Sequence, residues 1–118
     1  MMQLSQLPIK DSRQAYEEML CIDTTPAGAA IMKDKAVFKV IKLTDVDCRA
    51  ANILKQTFLS KGGEAAVSRH CADLSEKTSD VIIMATLHQY KQAIPVLKAQ
   101  PWKLKTAAEL LEKLLHDA

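Results

Sequence analysis

Three short groups of residues carry side chains suited to chemistry: Ser68, Arg69 and His70 at the end of "GGEAAVSRH", Thr86 and His88 around the end of "DVIIMAT", and Cys48 behind "TDVD". A guanidinium flanked by hydroxyl and imidazole donors is a set that binds an anion, phosphate above all, because charge-assisted hydrogen bonds to a planar cation are strong and directional. Cys48 with His70 or His88 is the one pairing with the makings of nucleophilic catalysis, in which an imidazole takes the thiol proton. No glycine-flanked nucleophile elbow accompanies it. His70 beside Cys71 lacks the spacing that gathers four zinc ligands, and neither a metal nor a cofactor is expected. The same polar residues also suit helix caps and solvated turns, and on the sequence alone both readings stay open.

The elements that must position these residues follow from periodicity and turn chemistry. A first helix begins at Asp11 or Ser12, where Asp11 and Gln14 match a capping box, and ends before Thr24. "DTTPAG" at 23–28 reads as a turn. "AVFKVIKL" at 36–43 has apolar side chains on both faces and reads as a strand covered on both sides, and "TDVD" at 44–47 supplies oxygens to cap a second helix. That helix carries Ala50, Ile53, Leu54, Thr57 and Phe58 on one face and stops at Gly62 and Gly63. Asn52, Lys55 and Gln56 lie on its polar side, a candidate docking face for another protein or domain.

"EAAVSR" at 64–69 and "DVIIMAT" at 80–86 read as the second and third strands. Thr86 and Gln89 open a helix with Pro95 inside it, expected to kink or shorten that helix. Pro101 suits the first position of a last helix, whose Leu104, Leu111, Leu114 and Leu115 form a broad apolar face. The expectation is a single α/β domain over 1–118, a small three-stranded, mainly parallel sheet with about four helices. Parallel strands would bring Thr44–Asp47, Ser68–His70 and Thr86–His88 to one edge, where open sheets bind ligands. Leucines beyond what three strands cover, Leu115 foremost, point to a homodimer or a docked partner.

Composition narrows the function classes. With 48% hydrophobic and 25% charged residues, the 118 residues have the balance of an ordinary globular chain. The net charge of +2 is spread without a basic block, and aromatics are 4%, which argues against nucleic acid as a partner. No apolar run reaches the roughly 20 residues that span a bilayer, so no membrane partner is expected. The first residues do not read as a signal peptide, and a cytoplasmic location is expected. Cys21, Cys48 and Cys71, an odd set without a C-x-x-C pair, suit a reducing compartment and inert thiols better than a disulfide framework.

The segments "AANILKQ" (50–56), "GGEAAVSR" (62–69), "DVIIMAT" (80–86) and "LKAQPWKLK" (97–105), in this order and spacing, resemble the domain that precedes the pterin-binding barrel in a subset of bacterial dihydropteroate synthases. The likeness covers about residues 11–115. It implies a role beside folate synthesis, as a detached, truncated or independently encoded accessory domain. The barrel and its pterin- and diphosphate-binding loops are not among these residues, so the resemblance assigns none of them to the transferase reaction. A pterin-binding barrel, in the same chain or another, is the partner it implies. The leading expectation is therefore a noncatalytic docking domain; the alternative is a small-ligand domain that binds an anion or phosphate at the edge of the sheet.

Overall fold

In the computed structural model, which describes residues 1–118, capping chemistry sets the first two helices. Asp11 precedes α1 (Ser12–Cys21), and its carboxylate accepts the Gln14 N–H at 2.8 Å, satisfying a free amide of the first turn. The turn expected at 23–28 instead starts α2 (Pro26–Met32). Thr25 caps it by accepting the Gly28 N–H, and Pro26 takes the first position, where its missing donor is not needed. A 3₁₀ turn, Lys33–Ala36, leads into β1 (Phe38–Asp47).

Asp47 closes β1 and caps α3 (Cys48–Ser60) by accepting the Arg49 N–H. Gly62 ends the helix at φ +87°, a left-handed conformation that a side chain would strain. β2 (Glu64–Val67), a 3₁₀ turn Arg69–Cys71 and β3 (Thr78–Thr86) follow. Thr86 and Gln89 form the expected capping box at the start of α4 (Leu87–Lys98), which runs through Pro95 for three more residues. The last helix, α5 (Leu104–Leu114), does not begin at Pro101, because Trp102 and Lys103 are left-handed at φ 55° and 66° and no helix propagates through them.

The sheet overturns the expected topology. Its order is β1-β3-β2, and β3 runs antiparallel to both neighbours. The segment between β2 and β3 does not cross over the sheet; it turns back at Arg69–Cys71, so β3 slots between the two strands that α3 connects. The mainly parallel sheet is thus corrected to an antiparallel one, and about four helices become five. The apolar run of β3 reflects its central place in the sheet, and neither β1 nor β3 is covered on both sides as expected, since Phe38, Val40 and Ile82 on the outer face are 60%, 64% and 40% exposed.

One cluster of 21 buried residues fills the space between the inner sheet face and the helices. Ile41, Ala65, Val81, Ile83 and Ala85 come from the strands, and Ala51, Leu54 and Phe58 of α3 and Tyr90, Ala93 and Leu97 of α4 close over them. The buried alanines let helix and sheet backbones approach, while Phe58 and Tyr90 meet edge to face at 5.3 Å between ring centres. Helix α5 adds Leu104, Ala108 and Leu111 to the core, with Leu115 just beyond its end, and turns Leu110 and Leu114 to solvent. No helix is long and apolar enough to cross a membrane.

Candidate functional site

The antiparallel β3 separates the residues expected at one edge. Asp47 pairs with Thr78 and Phe38 with Thr86, so β1 and β2 end where β3 begins, and β3 ends at the opposite end of the sheet. Val67 pairs with Val81, which leaves Ser68 six residues along β3 from Thr86, about 20 Å at strand spacing. Ser68, Arg69 and His70 therefore share one end, and Thr86 and His88 the other.

Local bonds engage Ser68, His70 and Thr86, whereas the Arg69 and His88 side chains make none. Ser68 accepts the His70 N–H at 3.2 Å and donates its own N–H to Ser79 Oγ at 3.0 Å. The His70 ring lies 3.2 Å from Ser75 Oγ through Nδ1 and 3.8 Å from Glu76 through Nε2, while Arg69 is exposed. The cleft beside Ser68, about 440 Å³, is lined by Asp45, Glu76 and Asp80 together with Thr44, Thr78 and Ser79. Three carboxylates disfavour an anion there. At the other end, the Leu87 N–H donates to the Val37 carbonyl at 2.8 Å and the Gln89 N–H to Thr86 Oγ1 at 3.2 Å, so these two amides of the first turn of α4 are taken up within the fold.

The polar side of α3 is likewise engaged within the molecule. Asn52 Nδ2 donates to the Cys71 carbonyl at 2.9 Å, and Lys55 Nζ to the Ala65 carbonyl at 2.7 Å and to Glu64 at 3.0 Å. These bonds tie α3 to β2 and to the turn beyond it, and the Ala65 N–H and Lys55 hold the Glu64 carboxyl below its ordinary range. Gln56 is exposed, whereas Leu115 is 8% exposed and belongs to the core. At the start of the same helix the Arg49 guanidinium grips Asp47 at 2.9 Å and holds its carboxyl down at about 2. Arg49 also lies over the Trp102 ring at 4.7 Å, joining α3 to the turn before α5.

Cys48 is paired with a sulfur and not with an imidazole. Its Sγ accepts the Cys71 S–H at 2.8 Å, and both residues are buried. The Cys71 thiol beside it and burial push the Cys48 thiol up to about 11, which leaves it protonated at neutral pH, opposite to what an activated nucleophile needs.

What the sequence reading missed is the outer face of the sheet. Phe38 and Val40 of β1 are 60% and 64% exposed, and Val40 stands opposite Met84, which is flanked along β3 by Ile82. Ala66 of β2 pairs with Ile82 and extends the same surface. The far end of the face turns polar at the Lys42–Asp80 pair, 3.7 Å apart. An apolar field with a charged rim is the composition of a protein contact surface. The signal for it lay in two strands with apolar residues at alternate positions on both faces, when every large helical stripe had one face to cover.

Over 107 residues the chain is 38% identical to the probable bifunctional folylpolyglutamate synthase/dihydropteroate synthase of Halobacterium salinarum, which is 90% of this chain and 12% of that protein. It is 36% identical over 76 residues to the protein of the same description from Haloferax volcanii, 64% of this chain and 9% of that one. It is also 32% identical over 84 residues, 71% of the chain, to the bifunctional dihydropteroate synthase/dihydropteroate reductase of Helicobacter pylori, of which this is 22%. The chain is thus related along most of its length to a region of proteins named for dihydropteroate synthase, and it spans only about a tenth to a fifth of their length. No family model matches the chain, and no solved structure does.

Proposed function

We propose that this chain is a noncatalytic accessory domain of dihydropteroate synthase type, acting in folate biosynthesis, and that its uncovered sheet face docks on the catalytic part of such an enzyme. The catalytic part belongs to the same polypeptide or to a second one, and the domain stands ahead of the pterin-binding barrel in the order that the resemblance implies. The observation that carries this reading is the pair of coverages: 90% of this chain matches a stretch that is 12% of the Halobacterium protein. Nearly all the residues available for the activities in that protein's name therefore lie outside the shared stretch. Two features of the fold support the same reading. The residues suited to chemistry are dispersed or bonded within the molecule, and the apolar field of Phe38, Val40, Ile82 and Met84 has no cover.

An activity assay tests the noncatalytic half of the proposal. The purified chain, offered hydroxymethyl-dihydropterin diphosphate and p-aminobenzoate, should form no dihydropteroate. The full set of reactants with a dihydropteroate synthase from the same genome supplies the positive control. Turnover by the chain in a preparation free of any full-length synthase overturns the proposal.

A further inference from the structure

The contact between Cys48 and Cys71 serves none of the functions above. At 2.8 Å the two sulfurs are closer than unbonded sulfurs ordinarily rest, and they belong to separate elements: Cys48 opens α3, and Cys71 closes the 3₁₀ turn beyond β2. One side-chain and one backbone hydrogen bond hold the two elements independently of the sulfurs. Asn52 Nδ2 donates to the Cys71 carbonyl at 2.9 Å, and the Cys48 N–H donates to the Lys77 carbonyl at 2.8 Å. A cleft of about 320 Å³ is lined by Asp47, Cys48, Arg49, Leu74, Glu76 and Lys77, so Cys48, itself 1% exposed, forms part of its wall. Leu74, on the wall of that cleft, is half exposed and left-handed at φ 56°, a backbone conformation leucine rarely adopts. Cys71, in contact with Cys48, does not line the cleft.

We propose that Cys48 and Cys71 form a reversible disulfide within the folded domain, with a low-molecular-weight disulfide as oxidant and Cys48 as the first sulfur to react. The Cys48 thiolate attacks one sulfur of the small disulfide, whose S–S bond breaks and releases one thiol after protonation by water. The Cys71 thiolate then attacks the Cys48 sulfur of this mixed disulfide and expels the second small thiol. Two cysteine thiols are oxidised to one disulfide and one small disulfide is reduced to two thiols, so protons and electrons balance. The Cys71 thiol and burial keep Cys48 protonated at rest, so the first step waits for a minor deprotonated fraction and the pair oxidises slowly. The bond links positions 23 apart and encloses α3 and β2, which restricts the unfolded chain more than the folded one.

The test uses the folded chain carrying Cys21→Ser, which removes the exposed thiol. After incubation with oxidised glutathione, the protein is unfolded in the presence of iodoacetamide and mapped by mass spectrometry. The expected product is a peptide pair joined through Cys48 and Cys71, two hydrogens lighter than the reduced pair and restored by dithiothreitol. The oxidised domain should melt on the order of 10 °C higher than the reduced one. In a Cys21→Ser, Cys71→Ala protein the glutathione adduct should persist on Cys48. Full alkylation of both thiols after prolonged oxidation of the folded protein overturns the proposal, as does a bond that forms only in urea. A disulfide with no glutathione adduct in the Cys71→Ala protein overturns the assigned order of attack; if that variant does not fold, the first measurement decides alone.

Discussion

Replacing Tyr90 by phenylalanine removes one hydroxyl from the centre of the fold and little else. That hydroxyl lies 2.9 Å from the Lys39 carbonyl and 3.3 Å from the Ile83 carbonyl, so its single proton ties α4 to β1 or to β3 within a fully buried ring environment. Near neutral pH its loss should cost about 1 kcal/mol, the usual net worth of one such bond, and lower the melting temperature by about 3–6 °C for a domain of this size. The alkaline limb reverses this difference. Burial raises the Tyr90 phenol above its ordinary value, so the folded chain keeps a proton that the unfolded chain releases from about pH 10 upward. The folded state then binds more protons than the unfolded one, and stability falls as pH rises. At pH 11 the wild type should have lost about 1.4 kcal/mol through this group, more than the hydrogen bond contributes. The wild-type advantage should therefore vanish between pH 10 and 11 and change sign by pH 11. Cys48, pushed up to about 11, adds an alkaline loss of its own, present in both proteins and cancelling in their difference. Urea unfolding followed by circular dichroism at pH 8, 10 and 11 measures both curves. A gap that stays constant to pH 11 would show that Tyr90 ionises as readily folded as unfolded and refute the burial reasoning.

Two further substitutions test the packing and the caps. Leu115→Glu places a carboxylate at a position only 8% exposed and should destabilise the domain by about 3 kcal/mol, whereas Leu114→Glu, at 65% exposure, should stay within about 0.5 kcal/mol. Melting curves paired with light scattering separate the two; equal effects would contradict the assignment of inner and outer leucines. Asp47→Ala removes the α3 cap and the grip of Arg49, and it should lower stability at pH 7. Because Arg49 holds Asp47 at about 2, its stabilising effect is complete above the ordinary carboxylate value near 4 and fades as pH falls toward 2. The wild type should thus approach the variant between pH 4 and 2 in an acid titration, and parallel curves would rule the pairing out.

Local chemistry made much of this fold legible. Asp11, Asp47, Thr86 with Gln89, and Gly62 mark helix ends by side chains that satisfy free backbone groups or by a backbone angle that glycine permits, and the structure uses each in that way. Thr25-Pro26 reads as part of a turn and instead starts a helix, since a threonine before a proline serves a turn and a helix start equally well. The direction of β3 was not legible at all. It depends on whether the segment after Val67 reverses or crosses over, and the reversal is fixed by nonlocal bonds such as Asn52 to the Cys71 carbonyl and the Ser68 N–H to Ser79. From that one choice followed the fate of the anion site, because reversing β3 sends Thr86 and His88 to the far end of the sheet from Arg69. Asn52 and Lys55 were read as a docking face because their spacing shows which side of α3 they occupy, but spacing does not show that β2 and its following turn lie within their reach. The Cys48–Cys71 contact has no signature in the chain, being made by two elements that meet only after folding.

The central claim, that the open sheet face docks on a synthase, is tested most directly by titration calorimetry of this chain against a dihydropteroate synthase barrel from the same genome, expressed without the accessory region. Wild-type protein should bind at one copy per barrel with a dissociation constant in the micromolar range, and the Val40→Glu, Ile82→Glu double variant should bind at least tenfold more weakly. Both altered residues are exposed at the outer face, so the variant's circular dichroism and melting curve should match the wild type's. Binding of equal strength by the two proteins would place the contact elsewhere, self-association through that face would make a second copy its occupant, and heat-silent mixing at high micromolar concentration with no complex on a sizing column would contradict the docking account outright.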